Sequence, residues 1–177
     1  MLTSALRPDS QTRLWYEDKV RRYGYDYRAL GFRTRSSQER RFAALARLGD
    51  LDGRRLLDVG CGFGDLLAHL LERGIHPVYT GLDICAPMIA RCHQRFSVAS
   101  AIFAVADVLE YQPRVTYDYV VASGLFQFAK GNFVNEAMAI MWALCNTGMA
   151  VNFLRYGEST EYITTPWSLL GEGLPTP

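Results

Sequence analysis

Three glycines, spaced two residues apart, follow a short apolar run that contains a carboxylate. The run is 56–59, and the segment Asp58-Val59-Gly60-Cys61-Gly62-Phe63-Gly64 leads directly into leucines at 66, 67, 70 and 71. This order predicts a buried strand, a tight glycine turn and a helix with one apolar face. Such a turn places backbone N–H groups and the positive end of a helix dipole at the mouth of a sheet. The segment therefore predicts a ligand site built from backbone.

The residue after the third glycine indicates which ligand fits this turn. The dinucleotide fingerprint G-x-G-x-x-G needs glycine at position 65, and this chain has Asp65 there. A carboxylate at the start of a helix repels a pyrophosphate, whereas Asp58 and Asp65 together attract positive charge. A ligand with a cationic, amino-acid-like end therefore suits the turn better than a dinucleotide.

Three later strand-like segments also end in polar side chains. They are 78–83 with Asp83, 104–107 with Asp107, and 117–123 with Ser123. A carboxylate at the carboxyl end of a strand can accept two hydrogen bonds from a ribose diol. Because all the segments follow the glycine turn in order, at the spacing of alternating strands and helices, we interpret them as parts of one site.

Together these segments resemble the class I S-adenosylmethionine-dependent methyltransferases, whose first motif is an acidic residue followed by G-x-G-x-G. The resemblance covers roughly residues 20–156 and implies S-adenosylmethionine as the cofactor, with S-adenosylhomocysteine as its product. It implies that the glycine turn holds the methionine end, Asp83 the ribose, and Asp107 with Val108 the adenine, above a floor at Ser123. The full set of implied cofactor-binding residues is Gln38, Arg41, Asp58, Gly60, Cys61, Gly62, Gly64, Asp83, Ile84, Asp107, Val108 and Ser123. It fixes no catalytic acid or base and no metal ligand.

The segment 30–32, followed by Ser37-Gln38-Glu39-Arg40-Arg41-Phe42, looks like the opening segment of a subgroup of small bacterial methyltransferases. In that subgroup Gln38 and Arg41 would lie near the cofactor's carboxylate, which an arginine fork can bind with two hydrogen bonds. From the residues alone, Arg41 could equally be a surface arginine on an amphipathic helix. Both interpretations stay open at this point.

Alternating strand-like and helix-like segments predict an α/β fold, namely a Rossmann-like, doubly wound and mostly parallel sheet of five clear strands. We expect residues 1–50 to form an N-terminal helical lid and residues 51–177 the domain that binds S-adenosylmethionine, within a single domain overall. The predicted helices are 9–22, 37–48 (capped by Ser36 or Ser37), 65–73, 86–96 and 132–145, and the predicted strands are 56–59, 78–82, 101–106, 117–122 and 149–154.

The end of the chain departs from the family pattern. A complete sheet of the family adds two strands after the fifth, whereas residues 155–177 offer one weak strand at 162–165 and a tail rich in glycine and proline. We therefore expect the final hairpin to be absent or incomplete. Either the chain is truncated or a partner chain supplies the missing edge. An open edge would allow a homodimer to pair there.

Composition and charge bound the remaining classes of function. With 49% hydrophobic and 21% charged residues, the chain has an ordinary soluble composition, and no apolar run approaches the ~18 residues of a membrane span. Residues 1–10 lack the apolar core of a secretory signal, so we expect a cytoplasmic location. Four cysteines without C-x-x-C spacing favour structural thiols over a metal site or disulfides.

Positive charge is concentrated in the first 47 residues, which hold 11 Lys and Arg against 5 Asp and Glu. This asymmetry can mean an acidic partner or substrate, or a solvated helical face, and we favour the solvated face. Aromatic residues interleave with these charges and could stack on bases. We prefer the alternative in which they form the packing side of the lid.

The loop Ser123-Gly124-Leu125-Phe126-Gln127-Phe128 follows the fourth predicted strand, where the family often determines its acceptor class. It lacks the prolines that typify enzymes methylating base amines, which argues against nucleic acid as the acceptor and favours a small molecule. The preferred hypothesis is therefore a methyltransferase. The alternatives are a cofactor-binding subunit that is inactive or partner-dependent, and an NAD-dependent oxidoreductase, which Asp65 disfavours.

Overall fold

The described part of the chain forms a six-stranded sheet flanked by helices. The computed structural model describes residues 8–96, 101–128, 132–154 and 161–163. The strands are β1 (Arg55–Val59), β2 (Val78–Asp83), β3 (Ala101–Val105), β4 (Tyr117–Ser123), β5 (Cys145–Leu154) and β6 (Glu161–Ile163). The helices are α1 (Pro8–Tyr23), α2 (Arg35–Leu45), α3 (Asp65–Leu71), α4 (Ala86–Arg95) and α5 (Phe133–Ala143). Strands β1 to β5 run parallel, and β6 pairs antiparallel with β5.

The strand order is β3-β2-β1-β4-β5-β6, so the direction of winding reverses between β1 and β4. The chain moves outward from β1 to β3 and then returns to place β4 against the other side of β1. At such a switch point the loops after neighbouring strands diverge and leave a crevice outside their carboxyl ends. The glycine turn after β1 and the loop after β4 flank that crevice.

Strand β1 is apolar on both faces because helices cover both faces of the sheet. Leu56 and Leu57 are adjacent, point to opposite faces and are fully buried. On one face Leu56 lies in a cluster with Phe42 of α2 and Leu66 of α3. On the other face Leu57 lies in a cluster with Met141 of α5. The sheet is therefore doubly wound, and the α/β fold expected from the sequence is confirmed.

Helix α2 begins earlier than the sequence indicated. Its N-cap is Thr34, whose Oγ1 accepts a hydrogen bond from Ser37 N at 3.1 Å, so the predicted cap at Ser36 or Ser37 is wrong. A threonine oxygen satisfies a first-turn N–H group as well as a serine oxygen does. The predicted apolar stripe of this helix is confirmed, because Phe42 and Leu45 are buried against the sheet.

Strand β5 also begins earlier than expected, at Cys145 rather than 149. It pairs with β4 from Tyr117 onward, and the register shifts between Tyr117 and Tyr119. That irregularity lets residues assigned to a turn join the ladder. Strand β6 spans three residues and overlaps the weak strand expected at 162–165, of which 164–165 lies outside the described residues. Among the described helices, none has the length and apolar character needed to cross a bilayer.

Candidate functional site

A cavity opens at the carboxyl ends of β1 to β4, in the crevice at the switch point. Four carboxylates line it: Asp58 in β1, Asp65 at the start of α3, Asp83 at the end of β2 and Asp107 after β3. No Lys or Arg side chain lines it in the part of the chain that the structure describes. We call this space the acidic cavity. Six other residues that the family resemblance implied as cofactor-binding also line this cavity: Gly60, Cys61, Gly62, Ile84, Val108 and Ser123.

The glycine turn adopts a backbone conformation that glycine reaches without strain. The φ angle is +77° at Gly60, +55° at Gly62 and +72° at Gly64, all in the left-handed region. Gly60 N and Cys61 N donate hydrogen bonds to Leu82 O at 2.8 and 2.9 Å, and Gly64 N donates to Cys61 O at 2.9 Å. The turn therefore folds back onto β2 and uses these N–H groups within the protein.

Gly62 N is used internally as well, because it donates to Asp83 Oδ2 at 2.9 Å. This corrects the expectation that the turn presents these N–H groups to a ligand. The reason is tertiary: strand β2 brings a carbonyl and a carboxylate against the turn, which the spacing of the glycines did not reveal. The charge of the cavity comes instead from the carboxylates around it.

Asp58 is buried beneath the turn and accepts a hydrogen bond from the Tyr79 hydroxyl at 2.5 Å. Burial raises the pKa of Asp58 to about 7; the Tyr79 hydrogen bond opposes that rise, and the nearby Asp83 carboxylate adds to it. An ionised carboxylate is unfavourable when it is removed from water. A positive charge beside the carboxylate offsets that cost and stabilises the ionised form. Asp58 therefore favours a cationic group in the cavity.

Asp83 is held by the backbone through both of its oxygens. Oδ2 accepts from Gly62 N, and Oδ1 accepts from Cys85 N at 2.8 Å. Burial raises the pKa of Asp83, while these N–H groups and that of Ile84 oppose the rise. Each carboxylate oxygen has two lone pairs, so each keeps capacity for a further donor. The carboxylate is thus fixed in orientation and able to accept a pair of hydroxyl groups.

Asp107 follows β3 and Ser123 ends β4, so the two line the cavity on opposite sides of β2 and β1. Asp107 Oδ1 accepts from Leu109 N at 2.9 Å and caps a short 3-10 turn that begins at Val108. Ser123 ends β4, and its Oγ accepts a hydrogen bond from the Asn152 side-chain amide at 3.3 Å. Asn152 Oδ1 is buried and has no hydrogen-bond partner among the described residues. Asn152 therefore supports Ser123 from β5, a role that its position in the sequence did not indicate.

Asp65 differs from the other three carboxylates because its charge already has a partner. Arg95, at the end of α4, forms a salt bridge with Asp65 Oδ1 and also donates to Phe63 O at 3.2 Å. Gln38 donates to Asp65 Oδ2 at 3.0 Å. The prediction that Asp65 attracts a cationic ligand is therefore corrected: Arg95 largely offsets that charge, and Asp58 keeps the role.

Three of the implied residues do not line the cavity. Gly64 faces the core, where an added Cβ would lie 2.6 Å from Phe96 Cε2. Gln38 is buried and reaches the cavity wall through Asp65. Arg41 is buried with its guanidinium carbon 5.1 Å from the centroid of the Phe32 ring, so it is not a surface arginine. Their contact with a cofactor stays a prediction.

The N-terminal helices close the cavity with side chains that the sequence interpretation did not assign. Thr12 and Tyr16 of α1 line it, and they lie four apart on one face of the helix. Burial and the neighbouring Asp83 raise the pKa of Tyr16. Leu30 packs on the glycine turn so closely that a Cβ on Gly62 would lie 2.7 Å from Leu30 Cδ2. The four-residue spacing of Thr12 and Tyr16 on α1 was the sequence pattern that could have identified these two side chains.

The cysteines and histidines add no further chemistry to the site. Cys61, Cys85 and Cys92 are buried free thiols, in agreement with a structural role. The His69 ring packs against Phe42 with centroids 5.7 Å apart, and burial lowers its pKa. Within the described ranges, no three His, Cys, Asp or Glu side chains are grouped so as to hold a metal ion.

Comparison with known sequences places the central part of the chain in one family. A family model described as a methyltransferase domain matches residues 56–148. A malonyl-[acyl-carrier protein] O-methyltransferase of Acetivibrio thermocellus is 36% identical over 92 residues, covering 49% of this chain and 32% of that protein. A trans-aconitate 2-methyltransferase of an Acidovorax species is 32% identical over 88 residues, covering 50% and 33%. The chain thus matches about a third of the length of these relatives.

Solved structures share the fold over more of the chain. A magnesium protoporphyrin IX methyltransferase from Synechocystis, with bound S-adenosylmethionine, aligns over 93% of this chain and 83% of that chain, at a TM-score of 0.70 and 17% identity. An N-methyltransferase from Bradyrhizobium japonicum, in complex with S-adenosylhomocysteine, aligns over 78% and 72%, at a TM-score of 0.64 and 16% identity. At these identities the likeness concerns the fold alone.

Proposed function

The chain belongs to the methyltransferase-domain family, and from that premise we propose that it transfers a methyl group from S-adenosylmethionine to a small-molecule acceptor. The names of its relatives support the acceptor class, since they specify malonyl-[acyl-carrier protein] and trans-aconitate as methyl acceptors of those proteins. These names do not specify which atom of the acceptor this chain methylates.

The observation that carries this proposal is the charge of the acidic cavity. Asp58, Asp83 and Asp107 line it together with the partnered Asp65, and no described Lys or Arg lines it. S-adenosylmethionine carries a net positive charge through its sulfonium and ammonium groups. A nicotinamide dinucleotide carries a pyrophosphate, which Asp58, Asp83 and Asp107 would repel. The electrostatics therefore support the sulfonium cofactor over the dinucleotide.

We assign the residues of the cavity to the parts of this cofactor in the order that the sequence implied. We propose that Asp58 and the turn of Gly60, Cys61 and Gly62 hold the methionine end. Asp83 and Ile84 would hold the ribose, because the Asp83 carboxylate is fixed by two backbone N–H groups and keeps lone pairs for a diol.

We extend the assignment to the adenine end and to the cover of the cavity. Asp107 and Val108 would hold the adenine, since they line the same space beyond β2, and Ser123 at the end of β4 would form the floor. Gln38 and Arg41 would approach the cofactor's carboxylate, and residues 1–50 would act as a lid over the domain at 51–177. The position of Tyr16 and Leu30 on the cavity wall supports the lid.

The sulfonium of the bound cofactor supplies an activated methyl group, so the protein needs only to align the acceptor and exclude water. Leu30 and Phe32 cover the cavity with apolar surface beside the glycine turn, which keeps water from the reacting atoms. The backbone clamp on Asp83 fixes one end of the cofactor, and fixed orientation is what an in-line transfer requires.

Calorimetric titration tests the proposal directly, with S-adenosylmethionine, S-adenosylhomocysteine and NADH as ligands. We expect micromolar binding of the two adenosyl ligands and no binding of NADH. Glu72→Gln removes an exposed acid outside the cavity, at the end of α3. This variant should bind the three ligands as the wild type does, and it controls for the general charge of the chain. Tight binding of NADH, or absence of adenosyl binding by the folded chain, would contradict the proposal.

A partner-dependent subunit is the second candidate, and the short edge strand β6 favours it. Among the described residues, three pair with β5 at that edge, so a second copy of the chain could extend the sheet there. Light scattering would detect the homodimer. Methyl transfer by the monomer on any acceptor would exclude dependence on a partner.

A further inference from the structure

A second concavity lies on the outer side of α1, separate from the acidic cavity. It is lined by aromatic and basic side chains together with one amide, namely Trp15, Lys19, Tyr23, Arg28, Phe32 and Gln127. No carboxylate lines it in the described part of the chain. We call this concavity the basic groove. Its charge is thus opposite to that of the acidic cavity.

Lys19 carries the uncompensated charge of the groove. Its ammonium lies 4.8 Å from the centroid of the Trp15 ring and 5.1 Å from that of Tyr23. Rings in this arrangement hold a cation in place but do not neutralise it. Across the described residues, Lys19 forms no ion pair with a carboxylate, whereas Arg21 and Arg22 on the same helix both pair with Asp18. The ammonium is therefore held in position with its charge available.

Arg28 contributes a second cation whose orientation is fixed. Its Nε donates to Asp26 Oδ1 at 2.7 Å, and its guanidinium carbon lies 5.3 Å from the centroid of the Tyr23 ring. Lys19 and Arg28 thus approach the same ring. Asp26 offsets part of the Arg28 charge but does not line the groove, so the charges inside the groove are those of Lys19 and Arg28. An anionic group bound in the groove would be attracted to both.

The groove is connected to the place where the acceptor must lie. Phe32 lines both the groove and the acidic cavity. On α1, Trp15 lines the groove and its neighbour Tyr16 lines the acidic cavity. Gln127 comes from the turn after β4, which follows Ser123. Its side chain packs on Gly31, where an added Cβ would lie 3.2 Å from Gln127 Oε1. The groove therefore joins the lid to the loop beside the methyl-transfer position.

We propose that the basic groove binds the anionic group of the methyl acceptor, and that the acceptor is a planar aromatic acid whose charge is held by Lys19. This inference rests on the proposed function and names its substrate class. Flat rings line the groove, and Lys19 lies over those of Trp15 and Tyr23. A flat body can therefore pack on Phe32 and on the edges of those two rings while its acidic group meets Lys19. The Gln127 amide offers a hydrogen bond to the same group.

The acceptor and the cofactor would then be sorted by charge. The cationic cofactor is attracted to the acidic cavity and repelled by the basic groove, and an anionic acceptor has the opposite preference. Each site therefore rejects the other ligand. The two ligands would meet near Phe32, the side chain that both spaces share.

The test uses the whole chain saturated with S-adenosylhomocysteine and titrated calorimetrically with 2-naphthoate, a planar aromatic acid. The uncharged analogue 2-naphthamide has nearly the same shape and controls for stacking alone. Lys19→Gln removes the groove cation, and Lys19→Arg restores a cation in the same place. Arg21→Gln removes a charge from the same helix at an exposed position outside the groove, and is the matched control.

We expect 2-naphthoate to bind the wild type, Lys19→Arg and Arg21→Gln alike, and Lys19→Gln about tenfold more weakly. We expect 2-naphthamide to bind all four proteins weakly and equally. Equal binding of acid and amide, or equal loss in Lys19→Gln and Arg21→Gln, would overturn the inference. So would absence of naphthoate binding to the loaded wild type.

The same titrations separate this inference from the proposed function. S-adenosylhomocysteine is titrated first, and its failure to bind would contradict the cofactor assignment. Normal cofactor binding followed by no discrimination between acid and amide would contradict the groove assignment alone. Because Lys19 lies outside the acidic cavity, we expect Lys19→Gln to keep the cofactor affinity of the wild type, which also shows that the variant is folded.

Discussion

The acidic cavity and the basic groove share the side chain of Phe32 but are built in opposite ways. The cavity places carboxylates at the ends of buried strands, where Asp58 is 3% exposed. The groove places cations on a helix and a loop near the surface, where the Arg28 side chain is 55% exposed. A buried charge has a large effect because little water screens it, whereas an exposed charge is screened and has a small effect. The two sites therefore differ in strength as well as in sign.

The comparison also explains the uneven charge of the sequence. Four of the 11 Lys and Arg in the first 47 residues illustrate two different surroundings in the structure. Arg21 and Arg22 pair with Asp18 on an exposed face, as a solvated helical face requires. Lys19 and Arg28 face the groove between aromatic rings. The solvated-face interpretation thus holds for only part of this segment.

Asp58 should give the largest effect, and it concerns stability. Its pKa of about 7 in the folded chain exceeds the unfolded value of about 4, so its contribution is complete below the lower value and is lost as pH rises through the higher one. From about pH 5 to about pH 8.5 the wild type should lose free energy of unfolding on the order of 3 kcal/mol relative to Asp58→Asn. Thermal or urea unfolding of both proteins measures this difference.

Asn at position 58 keeps an acceptor for the Tyr79 hydroxyl and removes only the titration. Parallel pH profiles for the two proteins would show that Asp58 is ionised without cost, and that the cavity has no special affinity for a cation.

Asp83 should give the largest effect on cofactor affinity. Asp83→Asn keeps one oxygen acceptor but loses the charge and the second acceptor, so the clamp on Gly62 or Cys85 and the contact with a diol both weaken. Loss of two charge-assisted hydrogen bonds corresponds to about 100-fold in the dissociation constant of S-adenosylhomocysteine. Calorimetry measures this constant, with Glu72→Gln as the control. An affinity within twofold of the wild type would remove Asp83 from the site.

Gly62→Ala tests how closely the lid approaches the turn. The φ of +55° strains an alanine by about 1–2 kcal/mol, and its Cβ would lie 2.7 Å from Leu30 Cδ2. We expect a lower melting temperature and about tenfold weaker cofactor binding. The double variant Gly62→Ala/Leu30→Ala should be less affected than the two single losses added together, because shortening Leu30 removes the clash. Additive losses would show that lid and turn are not in contact.

Arg95 should give the smallest effect, visible only when the two adenosyl ligands are compared. Arg95→Met removes the partner of Asp65 and leaves the cavity more negative. S-adenosylmethionine carries the sulfonium charge that S-adenosylhomocysteine lacks, so the ratio of their affinities should shift toward the charged ligand by about threefold. The Arg91→Met variant changes an arginine on the same helix that does not line the cavity. An equal shift of the affinity ratio in both variants would show that the effect does not act through Asp65.

Much of the fold followed from local patterns. The glycine turn, the apolar stripe of α2 and the strands that lead to Asp83 and Asp107 were each specified by neighbouring residues, so their elements lie within a few positions of the prediction. The Thr34 cap and the early start of β5 were missed. Several polar residues can cap a helix equally well, and the register of β5 depends on its partner β4 rather than on its own sequence.

By itself the sequence determined the order of the elements and the identity of the carboxylates, because a strand, a tight turn and an amphipathic helix are encoded over a few adjacent residues. Only the tertiary structure decided which charges remain available. It paired Asp65 with Arg95, 30 positions away in the chain, and left Asp58 buried beside Tyr79. It also brought Gln127 against Gly31, and so made a groove from two distant segments. Burial and pairing between distant residues depend on packing, and no local pattern records them.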